Sequence, residues 1–96
     1  MVLRCRLREG QEAAGEAAIR SLVAAVDDEE PGAIAYGFYR SRRSPADVLL
    51  VETYQDESAA AAHNTSEHMA HFRTLFTELF DPLAADLWIQ SRTLRG

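Results

Sequence analysis

The spacing of apolar residues divides the chain into six successive segments, and their order limits the possible folds more than any other feature. Near the N-terminus, Leu3, Cys5 and Leu7 alternate with arginines, and this period of two predicts a strand over residues 2–8. Three more strands are predicted over residues 33–40, 47–54 and 86–92.

The other two segments have helical spacing. Residues 11–26 carry an apolar stripe that includes Ile19, Leu22 and Val26, and the acidic run at residues 27–30 is predicted as an exit loop. Residues 58–80 are predicted to be mostly helical, with a break at residues 64–66 and Ser66 as the new N-cap.

The resulting order, β-α-β-β-α-β, is the ferredoxin-like arrangement of an α+β protein. It predicts one domain over residues 1–96, with a four-stranded antiparallel sheet and both helices on one face. The other face of the sheet is then open. Because so short a chain buries only about 60–65% of its unfolded surface, we expect a homodimer that packs sheet to sheet.

Charge and composition exclude several classes of partner. The net charge is −5 and all 10 basic residues are arginine, without a basic cluster, which argues against nucleic acid. No apolar run approaches the ~18 residues of a membrane span. The single cysteine, Cys5, fits a reducing compartment, and a cytoplasmic protein is expected.

Charged residues within the strands suggest how the dimer interface is built. Arg4, Arg6 and Glu52 are taken to alternate with helix-facing residues, so they are predicted on the open face. A sheet-to-sheet dimer would enclose them, and enclosed charges must be paired. We therefore expect an Arg–Glu52 network at the interface, with Tyr54 beside it.

Four motifs resemble the antibiotic biosynthesis monooxygenase family. They are E-P-G-A-I-A-Y-G-F-Y-R at Glu30–Arg40, V-E-T-Y-Q-D-E-S-A-A-A-A-H at Val51–His63, S-E-H-M at Ser66–Met69, and the R-x-R-L-x-x-G pattern at Arg4–Gly10. The resemblance implies a dimeric α+β barrel. It also implies cofactor-free oxygenation of a phenol or quinol, with no metal, flavin or heme.

That reaction needs a base near the phenolic hydroxyl, donors for the oxyanion and apolar walls. His63 is the predicted base and Asn64 a further polar group, because both lie at the predicted helix break. His68 is a second polar group, since it lies in line with Phe72, Leu75 and Leu79 at helical spacing. Aromatic residues are the predicted substrate-binding walls: Tyr36, Phe72, Phe76 and Trp88.

Three other interpretations are weighed. A non-catalytic dimeric ligand-binding module of the same fold is the main alternative. Heme degradation is unfavoured, because His63, Arg73 and Leu3 stand where heme-degrading relatives carry other residues. A metal site on His63, His68 and His71 is unfavoured, since their spacing matches no familiar ligand motif.

Overall fold

The structure is a computed structural model and describes residues 1–90. The elements follow one another as β1 (Val2–Arg6), α1 (Glu12–Glu29), β2 (Ala33–Arg40), β3 (Asp47–Tyr54), α2 (Glu57–Asn64), α3 (Glu67–Leu79), a short 3₁₀ turn (Pro82–Ala84) and β4 (Asp86–Trp88). The predicted order of strands and helices is therefore confirmed.

The four strands form one antiparallel sheet in the order β2-β3-β1-β4. Leu50 of the central strand β3 pairs with Leu3 on one side and with Phe38 on the other, so these three side chains share the face that the helices cover. This is the α+β, ferredoxin-like architecture that the sequence predicts.

Two element boundaries differ from the prediction. Helix α1 continues through the acidic residues 27–29, which were expected in a loop, and the N–H of Glu30 still bonds to the carbonyl of Val26. Val26 is fully buried, and its packing holds the last turn in helical form against the unfavourable charge there.

The last strand is also shorter than expected. β4 ends at Trp88, which pairs with Val2, the first residue of the neighbouring strand β1. Residues 91 and 92 of the predicted strand lie outside the described residues.

The predicted break between the second and third helices is confirmed. Asp56 caps α2 and Ser66 caps α3, the latter by accepting a 3.2 Å hydrogen bond from the backbone N–H of Met69. The Ser66 hydroxyl also donates to the carbonyl of His63 at 2.7 Å. The turn therefore holds His63, at the end of α2, close to the first turn of α3.

The hydrophobic core lies between the sheet and the helices. Its fully buried members include Cys5, Ile19 and Phe80, and burial raises the pKa of the Cys5 thiol to about 12. Gly15 lets α1 approach the sheet, since a Cβ there would come within 2.3 Å of the Leu7 side chain. None of the described helices is long and apolar enough to cross a membrane.

Candidate functional site

A group of ionisable side chains meets where the end of α1, the end of α2 and the start of α3 converge over the sheet. Glu30 Oε2 lies 2.9 Å from His63 Nδ1, and the same oxygen contacts His68 Nε2. The side chains of His63, Glu30 and His68 are 1%, 10% and 14% exposed. We call these three residues the histidine–glutamate cluster.

Each histidine of the cluster faces a second carboxylate with its other ring nitrogen. Glu52 Oε1 lies 3.8 Å from His63 Nε2, and Glu29 Oε2 lies 3.6 Å from His68 Nδ1. The Tyr54 hydroxyl donates a 2.7 Å hydrogen bond to Glu52 Oε1. The cluster is therefore the centre of a continuous line of polar groups that runs from Tyr54 to the protein surface at Glu29.

Two tyrosines pack against the buried histidine. The ring centroids of Tyr36 and Tyr54 lie 5.1 and 5.4 Å from that of His63. Burial, together with the nearby charge of Glu52, raises the pKa of both phenols, so both stay protonated at neutral pH. The Tyr36 hydroxyl is buried and has no hydrogen-bond partner among residues 1–90.

Two open cavities reach this region. A groove of about 440 Å³ runs between α1 and α3, and its walls include Leu22, Phe72 and Leu75 together with His68 and His71. A cleft of about 610 Å³ on the other side of His68 is lined mainly by polar and acidic residues, among them Glu29, Glu30, Ser66, Glu67 and Gln55. His68 lines both cavities, whereas His63 lines neither.

The three predicted catalytic residues are only partly brought together. His63 and His68 share Glu30, as described above. Asn64 is exposed, and its backbone carbonyl accepts a hydrogen bond from Arg73. It thus lies on the outer side of the helix break, away from the cluster.

The predicted aromatic walls are distributed over three places. Phe72 lines the groove, whereas Phe76 stacks on Phe80 with a centroid distance of 4.9 Å. Tyr36 lies on the helix-covered face, but Trp88 is 61% exposed on the opposite face, where its indole donates to Asp86. Tyr36 and Trp88 therefore cannot line one pocket within a single chain.

The prediction that Glu52 lies on the open face is wrong. Glu52 is 6% exposed and shares the helix-covered face with Leu50, two residues earlier in β3, because alternate residues of a strand point the same way. Tyr54 follows on that same face. The prediction assigned Glu52 to the wrong face of β3, as a shift of one residue along the strand would do.

Among the described residues, the expected network of Arg4, Arg6 and Glu52 is therefore not formed. Arg4 and Arg6 lie on the open face as predicted, and the Arg6 guanidinium donates to Asp47 at 2.8 Å. In the partner strand, Asp47 lies directly opposite Arg6.

Glu29 and Glu30 are the site residues that the sequence interpretation missed. Both belong to the acidic run that was predicted as an exit loop, and Glu30 lies 33 positions before His63. The available signal was that Glu30 begins one of the family-like motifs, directly before the turn into β2.

Comparison with known proteins agrees with this fold. The family model described as antibiotic biosynthesis monooxygenase matches residues 1–75. A crystal structure of protein SO0527 from Shewanella oneidensis is 31% identical, with a TM-score of 0.77 over 83% of this chain and 78% of that chain. No match is found among curated proteins.

Other solved structures share the fold at lower identity. A Bacteroides thetaiotaomicron protein, provisionally named as an antibiotic biosynthesis monooxygenase, is 17% identical, with a TM-score of 0.86 over 99% of this chain and 89% of that one. PA3566 from Pseudomonas aeruginosa is 24% identical, with a TM-score of 0.75 over 82% and 79% of the two chains.

Together these findings define a small α+β protein with a buried histidine–glutamate site beneath its helices. The chain belongs to the antibiotic biosynthesis monooxygenase family.

Proposed function

We propose that the chain is a cofactor-independent monooxygenase that acts on a phenol or quinol. Membership of the family supports the reaction class. The observation that carries the proposal is the position of His68, which belongs to the buried cluster and also lines the apolar groove between α1 and α3. A ring in this groove would have its hydroxyl within reach of a histidine that a buried carboxylate orients.

The reaction assigns a separate task to each part of this site. The aromatic ring packs on the apolar walls at Leu22, Phe72 and Leu75, which keep water from the reactive intermediate. His68 accepts the phenolic proton, and Glu30 holds the imidazole in place. His63, predicted as the base from the sequence, lines neither cavity and therefore cannot reach the substrate. In this proposal it positions Glu30 through its 2.9 Å contact with that carboxylate.

The chemistry balances without an added reductant. The phenolate gives electrons to O₂, one oxygen atom enters the ring and the other leaves as water. A phenol with a free para position thus becomes a para-quinone, and the ring itself supplies all four electrons. Excluding water and holding the anion are tasks that side chains alone can perform.

Oxygen consumption with a panel of quinols and polycyclic phenols tests this proposal. We expect uptake without added metal, flavin or heme, and a decrease of roughly 10²–10⁴-fold in kcat for His68→Ala, the usual effect of a positioned base. His71→Ala is the matched control, since His71 lines the same groove but is exposed and outside the cluster. Its kcat should stay near that of the parent.

The possible results separate the residue assignment from the reaction. Equal kcat values for His68→Ala and His71→Ala would remove His68 from the mechanism but leave the enzyme standing. Absence of oxygen uptake across the panel would refute the monooxygenase proposal.

A non-catalytic ligand-binding module is the second candidate. It is favoured by the contacts within the cluster, because Glu30 already contacts one ring nitrogen of each histidine, Nδ1 of His63 and Nε2 of His68. Tight binding of one panel compound, measured by calorimetry and without oxygen uptake, would support it.

A further inference from the structure

We propose that the histidine–glutamate cluster is also a binding site for a divalent transition-metal ion of the Zn²⁺ type. The site is formed by His63 Nδ1, His68 Nε2 and the Glu30 carboxylate, and the binding itself does not depend on the proposed oxygenase activity. Its effect on turnover rests on that proposed function, because a metal on His68 Nε2 would replace the contact by which Glu30 orients the ring and would make the other ring nitrogen a weaker base.

The donor set and its spacing fit such an ion. Two imidazole nitrogens and one carboxylate oxygen come from three different segments of the chain, and all three atoms lie within 4.8 Å of one another. Ligands at the usual ~2.0–2.2 Å from zinc can be up to about 4 Å apart, so the three groups need to move by less than about 1 Å. Water from the cleft would complete the coordination.

The surroundings of the two histidines also resemble those of metal ligands. A metal-bound histidine usually presents its outer nitrogen to a carboxylate or carbonyl, which fixes the ring and raises its basicity. Here Glu52 faces the outer nitrogen of His63 at 3.8 Å, and Glu29 faces that of His68 at 3.6 Å. Each histidine thus has one ring nitrogen directed toward the proposed metal position and the other facing a carboxylate, as a metal-bound histidine does.

The charge of the site favours a cation. Glu29, Glu30 and Glu52 surround two imidazoles, and within residues 1–90 no arginine forms an ion pair with any of the three. The cleft that reaches Glu30 and His68 has Glu29 and Glu67 on its walls. A divalent ion entering through this cleft would offset negative charge that is costly to bury.

The ligand types determine which metals should bind. Two imidazoles with one carboxylate suit Zn²⁺, Cu²⁺ and Ni²⁺, whereas Mg²⁺ prefers oxygen ligands. Spacing along the chain suggested only a set that includes His71, which is exposed. The third ligand, Glu30, is distant in sequence and reaches the histidines only through the fold.

Isothermal titration of the chelator-treated full chain with ZnCl₂ tests the site, with MgCl₂ as the control ion. We expect one Zn²⁺ per chain, no measurable Mg²⁺ binding, and a rise in melting temperature with Zn²⁺. Glu30→Gln and His68→Ala should each weaken Zn²⁺ binding by at least about 10-fold, the lower end of what even outer-shell changes cost. His71→Ala should bind Zn²⁺ as the parent does.

Variants that lose the fold would not obscure the result. Glu30→Gln keeps the shape of the side chain, and circular dichroism shows whether each variant is folded. Cobalt absorption provides a second readout, because Co²⁺ in a nitrogen–oxygen site gives visible bands that should disappear in His68→Ala. Equal Zn²⁺ affinity in the parent, Glu30→Gln and His68→Ala would overturn the site, as would absence of binding to the parent.

The effect on turnover is tested separately. If the chain consumes oxygen with a quinol, Zn²⁺ should inhibit the parent at the concentrations that saturate the site, and EDTA should restore the rate. Metal binding without any turnover would refute the monooxygenase and leave the metal site standing. Turnover that is insensitive to Zn²⁺ in a protein that binds none would refute the metal site alone.

Discussion

Charged side chains differ in burial and in their partners between the two faces of the sheet. On the helix-covered face, Glu52 is buried within a single chain and accepts a hydrogen bond from the Tyr54 hydroxyl. On the open face, Arg6 and Asp47 pair with each other at the surface, although large apolar side chains lie around them. The helix-covered face thus buries a charged residue that has a hydrogen-bond partner. The open face leaves large apolar side chains exposed in the single chain.

This difference indicates what each face is for. The helix-covered face supplies the candidate site, whereas the open face carries Tyr39, Leu49 and Trp88 around a cavity of about 500 Å³. Monomeric proteins rarely leave contiguous apolar patches of this kind uncovered. We therefore propose that a second copy of the chain covers the open face in a homodimer.

The largest expected effect is dissociation of this dimer by Leu49→Arg. Leu49 lies directly opposite Arg4 in the sheet, so the new arginine would place a second positive charge in the centre of the covered surface. Multi-angle light scattering at low micromolar concentration should show a dimer for the parent and a monomer for the variant.

The matched control is Ile34→Arg. Ile34 is 68% exposed, but it lies at the irregular start of the edge strand β2 and does not line the cavity of the open face. This variant should remain dimeric, with an interface above ~2,000 Å² in total, as obligate dimers have. A parent protein that elutes as a clean monomer would remove the proposed role of the open face.

The same comparison explains what the sequence could predict. Strands β2 and β3 have the predicted bounds, because clear turn and loop residues flank both of them. The break before α3 was visible in Asn64, Thr65 and Ser66. Signals of this kind lie within one continuous segment of the chain, so they can be interpreted without knowing the fold.

The site depends on contacts between distant segments, and this is why less of it was predicted. His63 was selected because it lies at the helix break, and His68 because it lies in line with apolar residues of the following helix. Glu30 approaches them only after α1 packs against α3, and no local pattern reports that contact. Glu52 was misplaced because a charged residue in a strand is ordinarily assigned to the polar face, and here its partners make burial favourable.

An intermediate effect is expected for Glu52→Ala. The change removes the acceptor of the Tyr54 hydroxyl and leaves that partly buried group unsatisfied, at a cost of about 1–3 kcal/mol in the free energy of unfolding. Urea denaturation measures it. Glu52→Gln keeps an acceptor oxygen and should recover most of the loss.

The open face supplies the contrasting variant. Asp47→Ala removes an ion pair whose arginine is half exposed, and the urea midpoint should stay close to that of the parent. Equal losses for Glu52→Ala and Asp47→Ala would contradict the difference between the faces.

The smallest expected effect is the pH dependence of the Arg6–Asp47 pair. The hydrogen bond and charge of Arg6 hold the pKa of Asp47 below its ordinary value of 3.8. A depressed carboxyl pKa in the folded state stabilises the fold fully above the unfolded value, and this contribution is lost as the pH falls through the folded value. Asp47→Asn should therefore melt slightly below the parent at pH 6; the difference should start to shrink below pH ~3.8 and disappear once the pH is below the folded value.

Salt then distinguishes a covered open face from an exposed one. At about 1 M salt the screening length is about 3 Å, so an exposed pair loses most of its effect. A pair enclosed by a second chain is screened much less, so the difference at pH 6 between Asp47→Asn and the parent would persist only if the second copy reaches this pair. Asp86→Asn is the control, because Asp86 lies on the same face but accepts from the Trp88 indole rather than from an arginine. A difference that disappears in salt, in a protein shown to be dimeric, would mean that the dimer leaves this end of the sheet in contact with water.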